Sequence, residues 1–224
     1  MHDAETTMKR RPSFGRALRE PALALEVARG LLRGAYYRAK FRLSGRRVTI
    51  GRRFRVSGPL VIQGPGSVVF GDDCTVASTR MAPVTPYTHS PEAVISFGNR
   101  VVLNGTRFGC QQRIEVGEGC LLSDARIMDS DFHAIDAHPG IHRWQTSGRA
   151  KPVILGPNVW VCAGAMILKG VVVGANSVVA AGAVVTRDVP PNVVVGGNPA
   201  QVVRPLRAAA SGKIENGEPG VRDA

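Results

Sequence analysis

From Leu155 onward the aliphatic residues fall on every sixth position: Leu155, Val161, Ile167, Val173, Val179 and Val185. The residues that follow them, Gly156, Cys162, Leu168, Gly174, Ala180 and Thr186, are mostly small. Four positions after each aliphatic stand Val159, Ala165, Val171, Ser177, Ala183 and Val189, again small or β-branched. A helix repeats every 3.6 residues and a strand every 2, so neither produces this spacing. A six-residue period is the mark of a β-helix, in which each hexad supplies a short strand and a corner. The aliphatic points inward, the small residue lets the chain turn, and successive coils stack at about 4.8 Å. No coil buries its apolar face alone, so the stack must be continuous and capped at its end.

The same period runs upstream with breaks, through Ile50, Val56 and Ile62, then Phe70 and Val76, then Phe97 and Leu103, then Val116, Leu122 and Met128. The breaks predict two loops, 79–93 and 129–152, and long departures from a regular scaffold often carry function. Ahead of the repeats, Pro21 suits a first helical position and opens a helix predicted over about 21–42. Glu26, Arg29, Arg33 and Lys40 recur at helical spacing, with Ala28, Leu31, Leu32 and Ala35 towards another side. Gly30 and Gly34 each cost the helix roughly 1 kcal/mol against Ala, so it needs a surface to pack on. The organisation read from the pattern is an arm over 1–47, a β-helix over 48–206, and a polar, disordered tail over 207–224.

Composition sharpens this picture. Aromatics are 5% of the chain, which suits a core of small and β-branched side chains. The net charge of +12 is uneven: residues 1–53 hold 14 Lys/Arg against 4 Asp/Glu, a balance of +10, and the remainder is nearly neutral. Nucleic-acid binding is not expected, because the basic arm offers only Phe14, Tyr36, Tyr37 and Phe41 for stacking. An anionic membrane face is the partner that such charge fits. The four cysteines form no CxxC pair, which predicts reduced thiols in a cytoplasmic protein. No apolar run approaches the roughly 18 residues of a spanning helix, so the expected location is cytoplasmic, with peripheral contact at the inner membrane face.

The second loop contains SDFHAIDAHPGIHR, residues 130–143, with His133, His138 and His142. A histidine titrates near pH 6.5 and can take a proton from an attacking hydroxyl. Asp129 or Asp131 would then fix its tautomer. The competing reading is zinc through His133-x4-His138, which needs a third protein ligand. His2 and His89 lie elsewhere in the pattern, and His142 would have to come from the same loop.

The segment GPNVWVCAGAMILKGVVVGANSVVAAGAVVTRDVPPNVVVGGNPAQVVR, residues 156–204, resembles the hexapeptide-repeat acyltransferases, in particular the sugar and polysaccharide O-acetyltransferase branch. RIEVGEGCLLSDARIMDSDFH resembles that family's entry into its catalytic loop. The resemblance spans about residues 48–206. It implies a mainly β fold, a left-handed parallel β-helix, assembled as a homotrimer, with acetyl-CoA as donor, a sugar or saccharide as acceptor and no metal. It implies that His133, five positions after Met128, is the general base, with Asp131 beside it and Asn104 facing developing oxyanion charge. It implies that Ala163 and Ala181 offer backbone groups to pantetheine and that Trp160 walls the thioester end. Thr186, Arg187 and Arg204 would lie near the phosphates and nucleotide of CoA. Gln201 and Cys162 depart from the usual residues. Acetylation of an amino sugar, a gamma-type zinc carbonic anhydrase and a non-catalytic β-helix module are the alternatives.

Metal content separates the base from the zinc reading. Purified protein is expected to hold no stoichiometric zinc by elemental analysis and to be unaffected by EDTA. One tightly bound zinc per chain with carbon dioxide hydration would establish the other.

Overall fold

The computed structural model describes residues 21–136 and 139–207. The arm before Pro21 and the tail from residue 208 lie outside the described residues. The rest is one helix followed by a left-handed parallel β-helix of three sheets. Sheet 1 stacks Val48–Ile50, Ser67–Phe70, Val94–Phe97, Arg113–Val116, Val153–Leu155 and Val172–Val173. Sheet 2 stacks Arg55–Ser57, Thr75–Ala77, Val102–Asn104, Leu121–Ser123, Trp160–Val161, Val178–Val179, Val193–Gly197 and Ala200–Pro205, the last of these antiparallel. Sheet 3 stacks Thr85–Thr88, Arg107–Cys110, Arg126–Met128, Met166–Ile167 and Val184–Val185.

The sixfold phase predicted from Leu155 points inward at every step. Leu155, Val161, Ile167, Val173, Val179 and Val185 are all buried, and so are Val159, Ala165, Val171, Ser177, Ala183 and Val189. The earlier coils fill the same space with rings: Phe54, Phe70, Phe97 and Phe108 run as a ladder with centroids 5.0, 4.7 and 5.1 Å apart. The corner from sheet 1 to sheet 2 repeats a left-handed residue, with φ between 53° and 61° at Arg53, Asp73, Arg100, Asn158, Asn176 and Asn192. Asparagine tolerates that region, and here it also forms a ladder. The Asn158 amide donates to Asn176 Oδ1 and the Asn176 amide to Asn192 Oδ1, each at 3.0 Å.

Two expectations change. The inward residue before the second loop is Ile127, not Met128; Ile127 is fully buried and pairs in register with Phe108 and Ile167. The cause is corner length. Leu103 to Phe108 and Leu122 to Ile127 take five residues, whereas Val161 to Ile167 and Val179 to Val185 take six. The later corners insert one residue, closed by Gly164 and Gly182 at φ near +70°. Second, the proline-containing stretch 79–93 is not one loop. It contains the sheet 3 strand Thr85–Thr88, with Pro86 and Thr88 buried.

Helix α1, Pro21–Leu43, caps the first coil. Its glycines are the docking face. A Cβ on Gly34 would lie 1.8 Å from the Phe54 carbonyl oxygen, so no side chain fits there. Phe41 and Tyr37 stack beside it, centroids 6.1 Å apart, and close the core. Gly30 differs, because its added Cβ meets nothing nearer than 3.8 Å.

Gly34→Ala is therefore expected to undock α1 and lower stability by about 3 kcal/mol or more. Gly30→Ala should be neutral, or stabilising by up to about 1 kcal/mol. Urea denaturation of both variants checks the contrast, and equal effects would remove Gly34 as the contact point.

Candidate active site

The chain leaves the coil between sheets 3 and 1 at Asp129, whose carboxylate is fully buried. It accepts the backbone N–H groups of Gln111, Gln112 and Arg113 at 2.7 Å each, and Cys110 Sγ lies 3.4 Å away. Burial beside that carboxylate pushes the Cys110 thiol well above its usual range. Asp129 thus pins the turn of the coil below to the point of departure. The return strand closes the neck: Ser130 bridges Ala150, Asp131 N–H donates to Arg149 O, and Lys151 N–H donates to Asp129 O. Gly148 lies flat on the peptides of 131–133. A Cβ there would come within 2.6 Å of Phe132 N and 2.8 Å of His133 N.

Within the excursion, Phe132 takes a left-handed φ of 60°, with its N–H bonded to Ser130 Oγ at 2.9 Å. Its ring covers Gly109 on sheet 3 and meets His89 at 4.5 Å, which in turn meets Tyr87 at 4.0 Å. Partial burial lowers the His89 pKa, opposed by the charge of Asp129. His133 follows Phe132. Its N–H donates to Asp131 O at 2.7 Å, and its ring is exposed, without a hydrogen bond among the described residues. The Asp131 carboxylate, expected beside His133, is instead ion-paired with Lys169 from the next coil. Beyond the neck lies a cleft of about 430 Å³ lined by Asp131, Ala134, Ile135, Asp136, Ser147, Arg149 and Lys169. Among the described residues no three His, Cys, Asp or Glu side chains converge as metal ligands. His138, the partner of the zinc reading, lies outside the described residues.

The remaining candidates divide between the two edges of sheet 3 and the outer face of sheet 2. Asn104 sits at the end of its sheet 2 strand, at the corner between sheets 2 and 3. Ala163 and Ala181 occupy the same corner, as the residues that lengthen its later turns. Gly182 N–H donates to Ala163 O at 2.9 Å, and the N–H groups of Ala163 and Ala181 themselves make no bond among the described residues. Trp160 pairs with Val178, Val178 with Val194 and Val194 with Arg204, so Trp160 and Arg204 share one outward row of sheet 2. Thr186 and Arg187 are exposed at the opposite edge, between sheets 3 and 1, as is the excursion carrying His133.

Lys169, Phe132 and Gly148 were not singled out from the sequence, and His89 was named there only to be set aside as a metal ligand. Lys169 had a signal: Lys151, Lys169 and Arg187 recur 18 residues apart (169 − 151 and 187 − 169), one coil each. They form a basic column along the edge the excursion leaves. Gly148 had none, because a close approach between two parts of a loop has no period.

Residues 152–187 match the model for the bacterial transferase hexapeptide, six repeats. Nodulation protein L of Rhizobium meliloti is 43% identical over 48% of this chain and 58% of its own length. Galactoside O-acetyltransferase of Escherichia coli is 40% identical over 33% of this chain and 37% of its own length. The chain spans less than two thirds of each. The solved polysialic acid O-acetyltransferase OatWY superposes with a TM-score of 0.57 at 22% identity, covering 75% of this chain and 80% of that one. At that identity the likeness is one of fold. Residues 152–187 thus carry the hexapeptide repeat of the bacterial transferases, and coils of the same three sheets continue on both sides of them.

Proposed function

We propose that the chain is an acetyl-CoA-dependent O-acetyltransferase. Its acceptor is a hydroxyl of a sugar in a surface polysaccharide or glycolipid precursor, and its working form is a homotrimer. The observation that carries this reading is the excursion that leaves the coil at Asp129: a loop tied down at its neck by Asp129 and by the Asp131–Lys169 pair, holding an exposed His133 ring with no hydrogen bond among the described residues. The relatives named above supply the transferase class.

In this reading a free ring nitrogen of His133 takes the proton of the acceptor hydroxyl as its oxygen attacks the thioester carbonyl carbon. The tetrahedral oxyanion collapses, the carbon–sulfur bond breaks, and the CoA thiolate leaves with the proton held by the imidazolium. Asn104 donates to the oxyanion. The outward N–H groups of Ala163 and Ala181 receive pantetheine, Trp160 walls the thioester end, and Arg204, Thr186 and Arg187 meet the phosphates and nucleotide. Asp131 acts through Lys169, holding the loop rather than the imidazole.

The division of these residues supports a shared site. His133 and Asn104 stand on opposite edges of sheet 3, separated by a four-residue strand, about 13 Å at 3.3 Å per residue. In this reading the sheet 2–3 edge of one copy meets the sheet 3–1 edge of another and completes the site. The basic charge of residues 1–53 fits an acceptor presented at an anionic membrane face.

His133→Ala should lower kcat by on the order of 10²–10⁴ with CoA binding retained, while His142→Ala changes little. The acceptor is found by a CoA-release screen over sugars, nucleotide sugars and glycolipids. Co-expressing His133→Ala with Asn104→Ala chains should restore activity that each lacks alone, since some interfaces then contain both native residues. Failure of that restoration in a folded mixed assembly overturns the shared site. Full activity of His133→Ala overturns the base.

A further inference from the structure

Helix α1 has two faces. One is docked: Gly30, Gly34 and Phe41 are buried against the first coil. The other carries Leu25, Leu32, Tyr36 and Leu43, spaced by seven, four and seven residues, which at 100° per residue places all four on one line along the helix. That line is 51%, 72%, 62% and 86% exposed in turn. It lies on the far side of α1 from the coil stack. Arg29, Arg33 and Lys40 run along one flank of it, and the exposed small residues Ala28, Ala35 and Ala39 along the other. The helix holds five basic residues and one acidic one, Glu26. No helix among the described residues is long and apolar enough to cross a membrane.

The geometry points to α1 as an in-plane membrane anchor: it lies flat at an anionic bilayer surface with Leu25, Leu32, Tyr36 and Leu43 among the acyl chains and Arg29, Arg33 and Lys40 at the headgroups. A large apolar stripe bordered by cations is the composition of a helix that lies on a membrane rather than through it. Charge complementarity selects the occupant. A protein partner for a leucine stripe needs no cationic border, whereas anionic lipid headgroups do. The arrangement also orients the molecule. Because α1 lies across the end of the stack, the coils rise away from the bilayer, and sheet edges carrying the excursion stand beside the surface rather than against it. This deepens the peripheral placement proposed above and is independent of the chemistry at His133, since vesicle binding requires no turnover.

The test uses the full chain with vesicles of phosphatidylcholine alone or of equal parts phosphatidylcholine and phosphatidylglycerol. The chain should co-sediment with the second and not the first, and release at high salt. Leu32→Glu, at a position too exposed to disturb folding, should weaken binding about tenfold or more, and Arg29→Gln with Arg33→Gln should weaken it and flatten its salt dependence. A Tyr36→Trp variant adds a probe on the stripe. With the emission of Trp144 and Trp160 subtracted using the parent protein, its emission should be that of an exposed indole in buffer. It should then be quenched by phosphatidylglycerol brominated in its acyl chains. Binding that survives Leu32→Glu without quenching would assign the contact to the basic arm alone and overturn the anchor. A buried emission in buffer, or a change of oligomeric state in Leu32→Glu without vesicle binding by the parent, would show the stripe covered by protein and overturn it as well.

Discussion

Parallel stacking at one strand spacing governs this molecule. Each inward side chain rests on the inward side chain of the coil below, about 4.8 Å away, so its size is set by its two neighbours in the column. Phe70 and Phe97 stack in the sheet 1 column between Ile50 and Val116, and Phe54 and Phe108 pack against them from the corner ahead of sheet 2 and from sheet 3. The later coils make the opposite choice, with Val161, Ile167, Val173, Val179 and Val185. The outer geometry follows from the same constraint. Once the columns are fixed, length can change only at corners, and there the chain adds residues one at a time, as at Ala163 and Ala181, or by the two dozen, as at 129–152.

A long insertion is a threat to such a stack, since it interrupts the ladder at the place where two sheets meet. The interruption here is repaired with polar groups. Asp129 replaces an inward apolar side chain by a carboxylate that satisfies three consecutive N–H groups, and a buried carboxylate with three donors is adequately solvated by the protein itself. Asp131 and Lys169 bind the neck to the coil above. The loop therefore begins from fixed points on both neighbouring coils, and the Phe132 ring on Gly109 sets the direction in which the chain continues. Rigidity at the neck is what gives an exposed histidine a defined position.

The architecture was legible because it is periodic. From Leu155 to Val189 the inward positions read off the sequence are the buried ones. Legibility failed where the period changed. Met128 satisfied a six-residue count, but the corner before it is one residue short, and Ile127 turned inward in its place. The prolines of 79–93 suggested a loop, yet Pro86 sits within a strand of a sheet edge region where residues 60–63 make only isolated bridges to it. The site was legible as residue types more than as neighbours. His133 was found on a loop, but the partner of Asp131 lay 38 residues away at Lys169, visible only once coils were counted in eighteens. The glycines of α1 were read as weaknesses of a helix, and Gly34 is the point at which helix and coil touch.

The reversal of the last strand has a consequence for solubility. A parallel coil ends in a row of unpaired N–H and C=O groups, which could template another copy and propagate end to end. At the C-terminal end of sheet 2, Ala200–Pro205 turns back antiparallel on Val193–Gly197 and ends in a residue with no N–H to offer. At the other end α1 lies over the first strands of sheets 1 and 2. On sheet 2 the stack thus ends in a reversed strand, and at the other end a helix covers the first strands of sheets 1 and 2; neither matches the direction of the coil it would have to extend.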